Sequence, residues 1–276
     1  MGVFAGKDFS LPLGERTYIM GILNVTPDSF SDGGKHDDPT AALAHARQML
    51  AEGADLLDIG GESTRPGFAP VSEAEELARV VPVVRAIRAA FPRSILSVDT
   101  SKPAVAREAI LAGANIINDV TGFYQTEMVN VARQTGAGCI VMHGGEPGLP
   151  SSDGEICQTV SAYLGRRSEE LRAAGIPRER ICWDCGIGFG KTYEENLTLL
   201  REFSRVCGKG YANLGAASRK SVVGLSIGQP PADSPQRLWG TLAAHTAAIL
   251  GGADLLRVHD VLAGKTAAMM ADKLCR

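Results

Sequence analysis

Three stretches of this chain are built alike: EGADLLDI at 52–59, AGANIIND at 112–119 and GGADLLRVHD at 251–260. Each passes from a helical pattern through glycine and alanine into a short apolar run. Glycine stops a helix readily because it takes the left-handed conformation without a side-chain clash. A helix-to-strand joint that recurs in this way marks a regular alternation of helices and strands, and so a parallel α/β sheet.

Other runs complete the series. Tyr18–Leu23, Leu56–Gly60, Ile95–Val98, Ile116–Val120, Cys139–Met142, Ile181–Asp184, Ala212–Gly215 and Leu255–Val258 are short, largely apolar and bounded by turn residues. Strands buried on both faces read this way. Helices are expected between them over Pro39–Glu52, Ser72–Ala90, Lys102–Ala112, Glu155–Ala174, Pro235–Leu250 and Val261–Leu274. Pro39 suits a first helical turn, and Ser72 with Glu75 forms a capping-box pattern. About eight βα units in one chain predict an α/β fold, a single (β/α)8 TIM barrel. A doubly wound sheet is the rival, but it gathers its polar residues at one crevice, whereas here a polar cluster follows every strand. With no linker or low-complexity segment, residues 1–276 read as one domain with a short lead-in at about 1–17.

Composition narrows the function classes. The chain has 276 residues, 45% hydrophobic and 21% charged, which is enough to bury a substantial core. A net charge of -3 provides no basic field for nucleic acid. No apolar stretch of about 18 residues offers a membrane span, and the first residues lack a signal-peptide pattern. The expectation is a cytoplasmic protein with its 6 cysteines reduced.

In a βα barrel the reacting groups stand at the C-terminal ends of strands. The unusual polar residues fall there: Asn24 and Thr26; GGESTRPG from Gly60 to Gly67; Asp99 and Thr100; Asn118 and Asp119; His143; Asp184 with GIGFGK; Ser218 to Ser221; and Arg257, His259 and Asp260. Asp99, Asn118 and Asp184 suit the donor–acceptor edge of a nitrogen heterocycle. Lys220 could meet a carbonyl or ring nitrogen of such a ligand. Arg257, His259, Asn24 and Thr64 could hold an anion, and Asn24 offers the hard oxygen that Mg²⁺ accepts beside phosphates.

Plainer readings exist for each. Asp99, Asn118 and Asp184 could cap the following helices. Lys220 could be a solvated lysine and His259 a satisfied core histidine. For His143 the structural role is the favoured one. Cys182 and Cys185 have C-x-x-C spacing but no second ligand pair, so a metal or redox site is not expected. GIGFGK lacks the full spacing of a phosphate loop, and its glycines read as admitting substrate close to the backbone. The charge run Glu73–Arg79 reads as a solvated helix face.

Taken in order, GILNVTPDSFSDGG, DIGGESTRPG, SVDTSKP, IINDVTG, MHGGEP, GIGFGKT, SRKS and RVHDV resemble the dihydropteroate synthase family over about Tyr18 to Met270. The resemblance implies a reaction in which p-aminobenzoate displaces pyrophosphate from 6-hydroxymethyl-7,8-dihydropterin pyrophosphate. It implies a pterin pocket of Asp99, Asn118, Met142, Asp184, Phe189 and Lys220. Asn24, Thr64, Arg257 and His259 would take the pyrophosphate, with Asn24 on Mg²⁺. Phe30, Arg65, Pro66, Phe189 and Ser221 would hold p-aminobenzoate. Asp99, Asp184, Lys220 and Arg257 would carry the chemistry, by dissociative substitution without a covalent enzyme intermediate. A homodimer through the last two βα units is implied as well. The sequence departs from the family pattern at a shorter Gly144-Gly145-Glu146-Pro147 and at Cys185, where the family has proline. Two related activities are the alternatives, a pterin-dependent methyltransferase and a non-catalytic pterin-binding homologue.

Overall fold

The computed structural model describes residues 2–26, 39–62, 71–144, 155–208 and 210–276. Strands β3 (Tyr18–Asn24), β4 (Leu56–Gly60), β5 (Ile95–Asp99), β6 (Ile116–Asp119), β7 (Gly138–Met142), β8 (Ile181–Asp184), β9 (Ala212–Gly215) and β10 (Leu255–Val258) pair in parallel and in chain order. Strand β10 joins both β9 and β3, which closes the barrel and excludes the doubly wound sheet. The expected strands are all present, with ends that differ by a residue or so.

The strand sequences sort their own side chains. Successive residues point to opposite faces, so Met20, Leu56, Ile116, Ile140, Cys182, Ala212, Leu214 and Leu255 share one cluster in the lumen. Their neighbours Ile19, Leu23, Leu57, Ile59, Val98, Ile117 and Val141 face the surrounding helices. Those helices present matching stripes. Ala42, Ala46 and Met49 are the buried residues of α1 (Pro39–Ala51), and Val80, Val83, Val84 and Ile87 lie on the buried face of α2 (Glu73–Ala90). Three- and four-residue spacing puts each set on one helix face.

The lead-in holds a structure of its own. Strands β1 (Val3–Gly6) and β2 (Phe9–Pro12) form an antiparallel hairpin. Its Phe4, Phe9 and Leu11 join the lumen cluster, plugging the N-terminal end of the barrel. The Lys7 amide donates to Gly136 O (2.8 Å), and Asn115 Nδ2 donates back to Lys7 O (2.9 Å). With that end filled, ligands must enter through the C-terminal mouth.

Helices α3 (Pro103–Ala112), α5 (Ile156–Ala173), α9 (Pro235–Leu250) and α10 (Val261–Cys275) match expectation. Helices α4 (Thr126–Thr135), α6 (Tyr193–Arg201), α7 (Phe203–Val206) and α8 (Ser221–Ser226) were not foreseen. Helix α4 buries Met128, Val131 and Ala132 at helical spacing, so its pattern was present in the sequence, whereas α7 and α8 are one turn or so, too short for a period to show. A stop at Glu202 divides α6 from α7. The charge run Glu73–Arg79 is not simply a solvated face. Glu76 is fully buried and pairs with Lys102, which also pairs with Glu62 at the end of β4. Glu62 Oε1 accepts from the Val71 amide (3.2 Å), and Arg79 Nη1 donates to Gly61 O (2.8 Å), so residues 61 and 62 are tied to α2 and to the cap of α3, and Val71 is tied to Glu62.

Candidate active site

The last lumen-facing residues of adjacent strands line up at the mouth. Asn24 is in register with Gly60, Gly60 with Asp99, Asp99 with Asn118, and Met142 with Asp184. Asp99, Asn118, Met142 and Asp184 are all buried. Gly60 has no side chain to fill the space between its neighbours. A Cβ there would lie 3.8 Å from Asp99 Oδ2 and 3.9 Å from Asn24 Oδ1. The result is a floor edged by oxygen atoms.

Beneath that row, Arg257 reaches across from β10 and is gripped by two acids. Its Nε donates to Asp58 Oδ2 and its Nη2 to Asp99 Oδ2, both at 2.6 Å. Asp58 Oδ2 also accepts from Asn118 Nδ2 (3.0 Å). Two buried carboxyls share one partly buried guanidinium. Burial therefore pushes the Asp99 carboxyl up to about 7, against the pull of Arg257 and with the help of Asp58. Asp58 Oδ1 and Asp99 Oδ1 are buried and lack a hydrogen-bond partner among the described residues. Of the two, Asp99 stands in the mouth row, where a buried acceptor calls for a donor-rich ligand.

The opposite wall carries two lysines with different tasks. Lys191 Nζ donates to His143 O, Gly186 O and Phe189 O, each at 2.9 Å, so all its protons are used. Burial lowers its ammonium to about 8. It is a staple that folds the GIGFGK loop back on itself, not a phosphate ligand. Gly186 sits at φ 68°, and a Cβ there would lie 2.1 Å from His143 O. Only glycine fits. Asp184 Oδ1 accepts from the Gly186 amide (2.8 Å), so the turn is braced although Cys185 stands in it. Gly188 makes room for Lys220, whose Cδ would lie 3.2 Å from an added Cβ. Gly186 thus admits the His143 carbonyl from the neighbouring loop, and Gly188 admits the stem of Lys220.

Lys220 is half-buried, not a solvated lysine. Its Nζ donates to Ile187 O and lies 4.7 Å above the centre of the Phe189 ring. Burial pulls the ammonium down to about 8 against the opposing charge of Asp184. The SRKS loop is held from behind by α9 and by the start of α10. Arg237 Nη1 donates to Arg219 O (3.2 Å) and Lys220 O (3.1 Å), and Thr241 Oγ1 accepts from the Arg219 amide (3.0 Å). Arg219 makes a two-pronged pair with Asp260 (3.0 and 2.6 Å). Ser218 Oγ lies 2.9 Å from His259 Nδ1, which places His259 at the rim beside this loop.

The sequence model for the family described as pterin binding enzyme matches residues 20–259. A dihydropteroate synthase of Clostridium beijerinckii is 44% identical over 272 residues, covering 98% of both chains. The chain belongs to the dihydropteroate synthase family. A Burkholderia cenocepacia dihydropteroate synthase complexed with 7,8-dihydropteroate superposes with a TM-score of 0.89 at 41% identity, covering 99% of this chain and 96% of that one. A Xanthomonas albilineans dihydropteroate synthase with 4-aminobenzoic acid does so with a TM-score of 0.89 at 42% identity, covering 96% and 95%.

Asn24, Asp99, Asn118, Met142, Asp184, Phe189, Lys220, Arg257 and His259 come together around the mouth. Ser221, the first residue of α8, stands beside Lys220 and is exposed. Phe30, Thr64, Arg65 and Pro66 lie outside the described residues. None of the three strand-end candidates caps a helix: the cap positions of α3, α4 and α6 are Lys102, Gln125 and Thr192. It is Asp119, facing outward, that builds a turn, with Oδ1 accepting from the Thr121 amide (2.8 Å) and Oδ2 from the Phe123 amide (2.9 Å). His143 is buried with its ring edge-on to Tyr163 (4.9 Å), and its Nδ1 lacks a hydrogen-bond partner among the described residues. Cys182 and Cys185 are buried free thiols, pushed up by burial, Cys185 to about 12. Asp58 was missed. The signal was there: a charged residue between Leu56 and Gly60 on the lumen face of an otherwise apolar strand.

Proposed function

We infer that this chain is a dihydropteroate synthase, acting on 6-hydroxymethyl-7,8-dihydropterin pyrophosphate and p-aminobenzoate to give 7,8-dihydropteroate and pyrophosphate. The observation that carries the reading is the convergence of Asp99, Asn118, Asp184, Lys220 and Arg257 on one mouth, in a chain that matches such enzymes end to end. Buried acceptors on Asp99 and Asp184 meet the ring N–H groups of the pterin, and Met142 packs on its face. Phe189 lies between the pterin and the aminobenzoate ring. Lys220 serves the ring carbonyl or nitrogen. Arg257 and His259 serve the pyrophosphate, with Thr64. Phe30, Arg65, Pro66 and Ser221 serve the aminobenzoate.

The residues present fit a magnesium ion. Asn24 Oδ1 borders the cradle left open by Gly60, and Mg²⁺ is commonly held by one or two protein oxygens together with substrate phosphates. Asn24 would hold it, and the ion would neutralise charge on the departing pyrophosphate. The protein's own part is electrostatic. Acids beneath the ring favour the positive charge left on the pterin methylene as the C–O bond breaks. The neutral amine then adds to that carbon and loses a proton, so substitution is dissociative and no protein nucleophile is needed. Positioning of the amine is the remaining task.

The assembly is a homodimer. Helices α9 and α10 expose Trp239, Leu250, Leu262, Met269, Met270 and Leu274, an apolar set that a second copy would cover. No helix among the described residues is long and apolar enough to cross a membrane. With reduced cysteines, the chain works as one cytoplasmic domain. Incubation of purified protein with both substrates and Mg²⁺ tests the activity: a product with the mass of dihydropteroate supports it, and methyl transfer to a corrinoid instead would replace it.

A further inference from the structure

We propose that Asp58 is a positioning residue for this reaction, fixing the guanidinium of Arg257 and the amide of Asn118 from beneath the substrate pocket. The proposal rests on the synthase reading above. Asp58 is fully buried in the middle of β4, one layer below the row formed by Asn24, Gly60, Asp99 and Asn118. A carboxylate is costly to bury unless its partners hold it. Its partners here are both mouth residues. Oδ2 takes Nε of Arg257 at 2.6 Å and Nδ2 of Asn118 at 3.0 Å.

The geometry makes the two residues depend on Asp58 in different ways. Arg257 enters from β10, and Asn118 from β6. Asp58 on β4 is the atom-level link between them. The guanidinium is engaged through Nε and Nη2 only, by Asp58 and Asp99 respectively. Two carboxylates on two edges fix both the position and the plane of the fork, and leave Nη1 without a hydrogen bond among the described residues. Asp99 alone would grip a single nitrogen and leave the plane free to turn. Asn118 shows no other side-chain hydrogen bond among the described residues, so Asp58 decides which way its amide is turned. A carboxylate only accepts, so the amide nitrogen must face down and the amide oxygen is left toward the pocket. Asp58 itself does not reach the row that meets substrate.

The test is Asp58→Asn, which keeps shape and removes the charge-assisted grip. Wild-type protein must first release pyrophosphate in the presence of both substrates; if it does not, the synthase reading fails and Asp58 is not at issue. Given wild-type turnover, Asp58→Asn is expected to lower kcat roughly 100-fold, as misplaced reacting groups do. Its affinity for the non-phosphorylated pterin alcohol, read by calorimetry, falls roughly tenfold through Asn118. KM for p-aminobenzoate stays where it was. Loss of melting temperature with kcat unchanged per folded molecule would mean a purely structural acid and overturn the proposal.

If Asp58→Asn does not fold, the double variant Asp58→Asn with Arg257→Met removes both charges together. Its kcat is expected to equal that of Arg257→Met alone, while its affinity for the pterin alcohol is weaker. A double variant slower than Arg257→Met by a further factor of roughly 100 would show that Asp58 does not act through Arg257.

Discussion

Arg257 illustrates how much a residue's neighbours change its meaning. From sequence it is a cation for an anionic leaving group. In the fold it also neutralises two buried carboxyls. Arg257→Ala should therefore do more than weaken pyrophosphate binding. It leaves Asp58 and Asp99 uncompensated and should lower unfolding free energy by about 3 kcal/mol, measured by urea titration. Asp184→Asn is the cleaner probe, because the amide oxygen can still accept from Gly186. It should weaken binding of the pterin alcohol at least tenfold and leave p-aminobenzoate binding intact, by calorimetry; unchanged pterin affinity would remove Asp184 from the pocket. His245 gives a pH prediction. Its Nε2 accepts from the Ala217 amide (3.2 Å), and burial first, then Lys220, pull it down to about 4. The folded state thus resists a proton that the unfolded chain takes up near 6.5. The contribution of His245 to stability is fully present above that value and is lost as pH drops toward 4, by roughly 3 kcal/mol at most. His245→Gln, which can accept the same bond without titrating, should flatten the pH dependence of the urea midpoint. His143, pulled down to about 4 by burial and Lys191, leaves part of the slope in place.

At the scale of elements, the sequence marks what a periodic pattern can mark. Strand positions were legible because both faces are apolar. The strand-end residues were legible because a barrel puts chemistry there. What escaped shares a physical cause: its partners are far away in sequence. Asp58 acquires its meaning from Arg257, a strand at the other end of the chain. Lys191 looks like a phosphate lysine until the His143 carbonyl closes on it from another loop. The hairpin over Val3–Pro12 has the alternation of a strand pair, but its reason to exist is the open end of the barrel beneath it. Helix α6 was readable in hindsight. Thr192 accepts from the Glu195 amide, and Glu195 returns a bond to the Thr192 amide, a complete capping box. Thr192→Ala should cost about 1 kcal/mol in urea unfolding with little change in turnover, because the cap lies outside the Lys191 staple.

For the whole molecule, the exposed apolar set on α9 and α10 carries the assembly prediction. Wild-type protein should run as a dimer in light scattering at micromolar concentration. Leu262→Glu combined with Met269→Lys should run as a folded monomer with wild-type circular dichroism. A dimer that persists in that variant would place the interface elsewhere. The central claim is that one mouth holds pterin, pyrophosphate and p-aminobenzoate for a single displacement. Pyrophosphate release by the purified chain tests it most directly, with the pterin ester, Mg²⁺ and p-aminobenzoate omitted one at a time. Sustained release that needs all three is the predicted result. Tight binding of the pterin ester with no release under any combination would contradict it and leave a pterin-binding homologue without the synthase activity.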